Sequence, residues 1–276
     1  MFTFQLYYPS ATLQHYVQYY LVTTISDLND QMAVQEIFPL ALTGIHFMDT
    51  SGLVLFNNSE KEFIAAPPIS MIGQLATKRE NKFVQQGRII TAIFSPFGLY
   101  KIWGIQMSEV ANNVYDACDT LNTTSLNDCR EQLFDAKSCE QSIQILERFL
   151  LSHLKRNDFD LREMDSIVGC IHANRGNINI DWLAHASNMS TKTFERHFSE
   201  KIGLAPKVFT RIVRFSNALK MIQLKMGTFD ILETCGYTDQ SHLIKEFQAF
   251  TGKSPKQYHP GFQEMLSFYM EHSIKE

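Results

Sequence analysis

The residues of this chain best suited to chemistry are long polar side chains gathered at two helix starts. Thr191, Lys192, Glu195 and Arg196 form one group, and Gln240, Ser241, His242 and Lys245 form the other. In each group the spacing puts these side chains on one helical face, opposite Phe194 and Phe198 in the first and Leu243, Phe247 and Phe250 in the second. Such groups suit hydrogen bonding to phosphate oxygens and base edges: Arg and Lys donate to guanine, Gln pairs with adenine, and Glu accepts from cytosine. Plainer readings stand beside these. Arg196 can be a solvated cation, Glu195 can pair with a neighbouring cation, and His242 can be an inert turn residue. Arg211 and Arg214, between the two groups, are either solvated or bound to phosphate.

Little else in the chain points to catalysis. The five cysteines have no C-x-x-C spacing, and the nine histidines form no H-x-x-x-H pair. Neither a G-x-S-x-G elbow, a phosphate loop nor a dinucleotide fingerprint occurs. We therefore expect no metal, no cofactor and no enzymatic activity. Reduced, mostly buried thiols and the lack of a signal-like start or a long apolar run point to a cytoplasmic protein outside the membrane.

The elements that must position the two groups are legible. Asn179 is placed to cap a helix from Ile180 to about Ser187, and Ser190 to cap one from Thr191 to Ile202, stopped at Gly203. Pro206 opens a helix to about Lys225. Further helices are expected over roughly 229–235 and 239–251, the second capped by Asp239 or Thr238 and ended by Gly252. These pieces repeat at an offset of 49 residues: Phe198 with Phe247, Gly203 with Gly252, Pro206 with Pro255, Lys207 with Lys256. Upstream, Leu183-Ala184 matches Ile231-Leu232, with one residue inserted in the second turn. Short helix, tight turn and longer helix is the outline of a helix-turn-helix. The connecting helix, about 30 Å long at 1.5 Å per residue, compares with the roughly 34 Å between successive major-groove faces.

Charge divides along the chain in the same sense. The net formal charge is −4, yet residues 160–259 carry 13 Lys/Arg against 10 Asp/Glu, and residues 1–159 carry 11 against 16. Residues 1 to about 105 are rich in aromatic and β-branched residues between turn formers, and predict short strands in one curled sheet or barrel. Helical periodicity follows, with Ile143, Leu146, Leu150 and Leu154 on one face over roughly 138–156. The polar break Asn157-Asp158-Phe159-Asp160 is the expected boundary. The chain thus reads as α+β: a β-rich, barrel-like region over 1–157 with following helices, an all-α region over 161–259, and a tail helix over 260–276. The tail, with Phe262, Met265, Leu266, Tyr269 and Met270 at helical spacing, is expected to pack on the all-α region or on a partner.

Residues 165–259 strongly resemble the AraC-type family of bacterial transcription regulators. The resemblance rests on Leu183-Ala184, on Ser190, Phe194, Arg196 and Phe198, on Gly203 and Pro206, on Gly236-Tyr237 with Asp239-Gln240-Ser241-His242, and on Phe247, Gly252, Ser254-Pro255 and Tyr258. Tyr8-Pro9, the Leu13–Tyr20 stretch and Phe94-Ser95-Pro96-Phe97-Gly98 look like an N-terminal domain type found on such regulators. The resemblance implies a sequence-specific double-stranded-DNA-binding domain behind a sensory or oligomerising domain. It leaves room for a small-molecule effector of unassigned contacts, for a second copy of the chain and for RNA polymerase as partners. Two departures matter: Leu232 stands where Ala is usual, and Lys245 where Arg is commoner, which exchanges a bidentate fork for a point charge. Two rival readings remain: an interaction protein with weakened DNA binding, and a repair alkyltransferase, for which the Pro-Cys-His-Arg setting of an activated cysteine is missing.

Overall fold

Strand β9 (Gly87–Phe94) shows why the first region folds as it does. Its alternation sends Ile90, Ala92 and Phe94 to a helical layer and Ile89 and Ile93 to the opposite side. A strand apolar on both faces belongs in the middle of a sheet. In this computed structural model β9 lies between β2 (Val17–Ile25) and β4 (Thr43–Met48), in a six-stranded sheet of order β1-β2-β9-β4-β7-β10. The other members are β1 (Phe2–Tyr7), β7 (Ile69–Ile72) and β10 (Val114–Asp116). A second antiparallel sheet runs β3-β8-β5-β6, with β3 (Val34–Ile37), β8 (Arg79–Phe83), β5 (Val54–Asn57) and β6 (Phe63–Ala65). The structure describes residues 2–26, 34–50, 54–57, 63–154, 161–258, 268, 269, 271 and 272.

Where the sequence led us to expect one curled sheet or barrel, the strands divide between two sheets that face one another. Phe2, Ile25 and Met48 of the larger sheet share an apolar cluster with Val54 and Phe83 of the smaller one. The other face of the larger sheet carries helices α1 (Gly98–Trp103), α2 (Ala117–Leu121), α3 (Ser125–Asp135) and α4 (Cys139–His153), together with a 3₁₀ turn over Met107–Glu109. Leu126, Leu133, Ile143, Leu146 and Leu150 pack there against Ile45, Phe47 and Ile90. Each such side chain contributes roughly 1.5–3 kcal/mol by leaving water. A register shift in β2 between Val17 and Tyr19 explains why Val17 and Tyr20, three apart, both face the helices.

The second region is all helix. α5 (Leu161–Ala173) and α6 (Ile180–Ala186) precede α7 (Thr191–Ile202); α8 (Pro206–Gln223), α9 (Thr228–Cys235) and α10 (Gln240–Thr251) follow. The caps fall as their residue types demand: Asn179, Ser190 and Asp239 accept from the backbone N–H of Trp182, Thr193 and His242. For the last cap this decides for Asp239 over Thr238. The connecting helix is shorter than the sequence suggested, because Leu224 ends it and Lys225 turns the chain at φ 58°. Its 18 residues span about 27 Å.

The two regions do not keep separate cores. Phe38, Ala41 and Phe97 lie in one apolar cluster with Phe194, Phe198, Phe209, Phe215 and Phe247. The tail differs from expectation in a related way. Phe268 stacks on Phe4 at 4.8 Å and Tyr269 packs among residues of β1, β2 and β9, so these tail residues cover the β-rich region. The polar break at 157–160 and residues 260–267 of the tail lie outside the described residues. Among the described residues no helix is long and apolar enough to cross a membrane.

Candidate nucleic-acid interface

The two helix-turn-helix units are built alike down to their backbone hydrogen bonds. In the first, Asn188 takes φ 52° and Met189 N–H donates to the Ala184 carbonyl at 3.0 Å; in the second, Gly236 takes φ 68° and Tyr237 N–H donates to the Leu232 carbonyl at 3.0 Å. The inserted residue is Thr238, between that bond and the cap. The repeat pairs share burial: Phe194 with Leu243, Phe198 with Phe247, and Phe209 with Tyr258 are all buried. These side chains are core, which keeps the aromatic ones among them from stacking on bases.

The faces opposite these core residues are open. Lys192, Glu195, Gln240, Ser241 and Lys245 are exposed, and the Arg196 side chain is 67% exposed. Arg196 is loosely tethered, with Nε 3.9 Å from Glu200 Oε1 one turn on and a terminal nitrogen 3.3 Å from His197 Nε2. An exposed pair of this kind holds a side chain weakly and yields to a better partner. Thr191 donates its hydroxyl to Asp181 Oδ1 at 2.7 Å, which ties the start of α7 to α6. His242 sits half-buried, its ring edge-on to Tyr237 and its Nδ1 3.3 Å from Thr238 Oγ1.

Arg211 and Arg214 are placed differently. Arg211 Nε donates to Glu246 Oε2 at 3.0 Å, and its guanidinium lies 5.3 Å from the Phe250 ring centroid. Arg214 donates to the Gly176 carbonyl at 3.2 Å and lies 5.7 Å from the Tyr237 ring centroid. Both arginines thus make internal contacts that tie α8 to its neighbours. A cleft of about 640 Å³ nonetheless brings Thr191, Glu195, Arg211, Arg214 and His242 together on its walls, so the starts of α7 and α10 open onto one concavity. Lys207, exposed at the start of α8, lines it too. Lys207 was not among the sequence candidates, although its repetition as Lys256 was a signal. Glu246, which anchors Arg211 and accepts from Tyr237 Oη at 3.0 Å, was missed because a buried carboxylate in a helix has no pattern of its own.

Residues 183–260 match a family described as a helix-turn-helix domain, and residues 5–116 match a domain of unknown function (DUF6597). The C-terminal region is an AraC-type helix-turn-helix domain. DNA binding is the activity of this domain type. The matched stretch contains both polar helix starts, those of α7 and α10. Similar solved structures include ToxT from Vibrio cholerae, at 10% identity over 93% of this chain and 97% of that one (TM-score 0.46). A second ToxT structure, from V. cholerae strain SCE256 with an unsaturated fatty acid bound, has 11% identity over 89% and 97% (TM-score 0.44). The AraC-like transcriptional activator CuxR has 12% identity over 84% and 91% (TM-score 0.27). No curated protein matches this chain.

The cysteines bear on the alkyltransferase alternative. Burial pushes Cys129 up to about 12 and Cys235 up to about 11, and burial with nearby Asp116 and Asp119 pushes Cys118 up as well. An activated nucleophile requires the opposite shift. Among the described residues no group of three or more His, Cys, Asp or Glu is placed to hold a metal ion.

Proposed function

We propose that this chain is a transcription regulator that reads double-stranded DNA by placing the N-terminal ends of α7 and α10 in adjacent major-groove segments. The observation that carries this reading is the pairing of two open, polar helix starts on one side of a single stiff helix, with their apolar faces consumed by the core. Arg196 and Lys192 serve the first half-site, Gln240 and Lys245 the second. Ser241 and His242 lie beside the backbone, where hydroxyl and imidazole donors suit phosphate, and Thr191, whose hydroxyl is donated to Asp181, steadies the start of α7 there. Arg211 and Arg214 act chiefly as struts, and Glu195 sets the local charge of the first reading face. The front region modulates this binding in response to a small molecule, by shifting the population of a DNA-competent arrangement. The reaction chemistry of the chain is binding alone.

Selection of binding sites from random duplex DNA tests this. The expected result is an enriched bipartite motif whose halves lie about one helical turn apart. Binding that ignores sequence would leave the interaction-protein reading in its place.

A further inference from the structure

The two reading helices end on the front region at equivalent points of the repeat. Gly203 closes α7 at φ 99°, so near the 3₁₀ turn that a Cβ there would meet the Met107 carbonyl oxygen at 2.9 Å. Gly252 closes α10 at φ 74°, with Lys78, just before β8, beside it. One residue on, Lys253 Nζ donates to both oxygens of Glu36 in β3 at 2.9 and 3.1 Å, and Lys78 Nζ donates to Glu36 Oε1 at 3.1 Å. Both docks lie at C-terminal helix ends, about 18 Å along each 12-residue helix from its polar start.

Within the front region a strap joins the two docks. Its members are the segment 107–112, which starts at the first dock, and the segment 73–79, which leads to the second. Val110 N–H donates to the Met107 carbonyl at 3.2 Å, and the Gly73 backbone lies against the Val110 carbonyl too closely to admit a Cβ. Asn112, at φ 60°, then makes three bonds across the strap. Its N–H donates to the Gln74 carbonyl at 2.8 Å, its Oδ1 accepts from Ala76 N–H at 2.7 Å, and its carbonyl accepts from the Arg79 guanidinium. Arg79 pairs with Ile37 and Glu80 with Glu36, so the last of these bonds ends beside the second dock. An unbroken run of packed and hydrogen-bonded groups thus leads from the end of α7 to the end of α10.

α8 supplies the other connection. Phe209 packs on Phe198 of α7 at 5.5 Å between ring centroids, and Phe215 packs on Phe247 and Phe250 of α10 at 5.5 and 4.9 Å. A single helix still bends along its length. One base pair more or less between two half-sites asks for only about 3.4 Å and about 35° of adjustment. With the strap in place, α7, α8, α10 and the front region form a closed ring, and a close-packed ring resists the splaying that an open arm allows. Neither dock covers the starts of α7 and α10, which stay open.

We propose that the front region fixes the half-site spacing this chain accepts: the strap braces α7 and α10 by their C-terminal ends, and Asn112 is its positioning residue. The preferred partner is then a duplex with one spacing between half-sites, and a shift of a single base pair is rejected. Asn suits the post because it tolerates a positive φ better than most residues and offers an acceptor besides. The DNA consequence rests on the proposed function and deepens it, while the stiffness of the ring is a property of the free protein.

Spin labels on ketone-bearing unnatural residues in place of Lys192 and Lys245 report the distance between the reading faces of the full-length chain by double electron–electron resonance. The wild type is expected to give one narrow distribution, Asn112→Ala a wider one, and Asn112→Asp, which keeps the acceptor, one like the wild type. Lys253→Gln, which unfastens the second dock alone, is expected to widen it too, and decides the matter if Asn112→Ala does not fold. The unlabelled proteins are then titrated with the selected site and with the same site lengthened or shortened by one base pair. The wild type and Asn112→Asp are expected to lose at least about tenfold at the altered spacings, and Asn112→Ala and Lys253→Gln less than about threefold. A merely destabilising change lowers affinity at every spacing alike and leaves that ratio intact. Equal widths in the wild type and the loosened variants, or an equal spacing penalty, would overturn the proposal. Selection that yields no bipartite site would strike the proposed function instead, and the distance measurement would still decide the brace.

Discussion

The two helix-turn-helix units follow the same plan but are stabilised by different physics. Unit one (α6 and α7) closes on Ala184, which is 1% exposed, and packs Phe194 and Phe198 into the shared aromatic core. Unit two (α9 and α10) has Leu232 at the matching position, half-buried, beside a smaller cluster of Ile231, Cys235, Tyr237 and Leu243. The second turn of α10 carries Glu246, 4% exposed, where unit one has the half-buried His197. The bulkier residue at the turn leaves less apolar closure, and a hydrogen-bonded carboxylate replaces what packing supplies in the other copy. Phe247 and Phe250 of unit two share the aromatic core of unit one, so its polar ties add to ring packing and stand only where Leu232 and Glu246 interrupt it. Unit two also meets the front region through Phe38, whose ring lies 6.5 Å from Phe215 and 6.1 Å from Tyr258.

The largest difference is expected at the pair that separates the copies most. Glu246→Ala leaves Arg211 and Tyr237 without their acceptor and should cost roughly 2–3 kcal/mol, Arg211 being partly solvated. His197→Ala should cost less than about 0.5 kcal/mol. Denaturant unfolding of both variants measures this, and equal losses would erase the distinction.

DNA binding offers a finer contrast. Arg196→Ala should weaken binding by about 1–3 kcal/mol and relax base preference in one half-site. Lys245→Ala should weaken binding to all sequences nearly alike and reduce the salt slope by about one. Titrations against the selected site and single-base variants at several salt concentrations separate the two. If Lys245→Ala relaxes specificity as much as Arg196→Ala, unit two reads sequence as strictly as unit one.

The smallest expected effect is at Glu36 of β3, which pairs with Lys253 at 2.9 Å and with Lys78 at 3.1 Å. Burial disfavours ionised Glu36, but hydrogen bonds from Lys253 and Lys78 outweigh this and hold its carboxyl below the ordinary value of 4.5. A carboxylate with a lowered pKa contributes stability that is complete above its unfolded value and is lost as pH falls through the lowered one. The groups facing it are Lys253, Lys78, Glu80 through Lys78, and Tyr258. Glu36→Gln should therefore cost at most about 1 kcal/mol at neutral pH and flatten the acid limb of the stability curve below about pH 4.5. Proteolysis of the 34–42 segment should speed up in the variant at neutral pH; an unchanged rate argues against a docking role for this cluster.

The helical half was legible because each of its devices is local. Asn179, Ser190, Asp239, Pro206, Gly203 and Gly252 mark helix ends through bonds made within a few residues, and the repeat doubled every mark. The candidate faces were legible for the same reason, since Phe194 and Phe198 fix which side of α7 is buried. Arg211 and Arg214 were not, because their partners Glu246 and Gly176 lie more than 30 positions away. In the front half, the division into two sheets depends on pairings such as β2 with β9 and β3 with β8, which no local signal announces. Phe38 was equally silent: an aromatic after a short strand gives no hint that it completes the core of another region.

The central claim is that one chain presents two reading helices at a fixed spacing. It is tested most directly by measuring affinity for the selected site after inserting 5 base pairs between its halves. A rigid connecting helix predicts that the insertion turns the second half-site to the far side of the duplex and lowers affinity to that of a single half-site. Undiminished affinity for the expanded site would show that α7 and α10 do not act as a coupled pair.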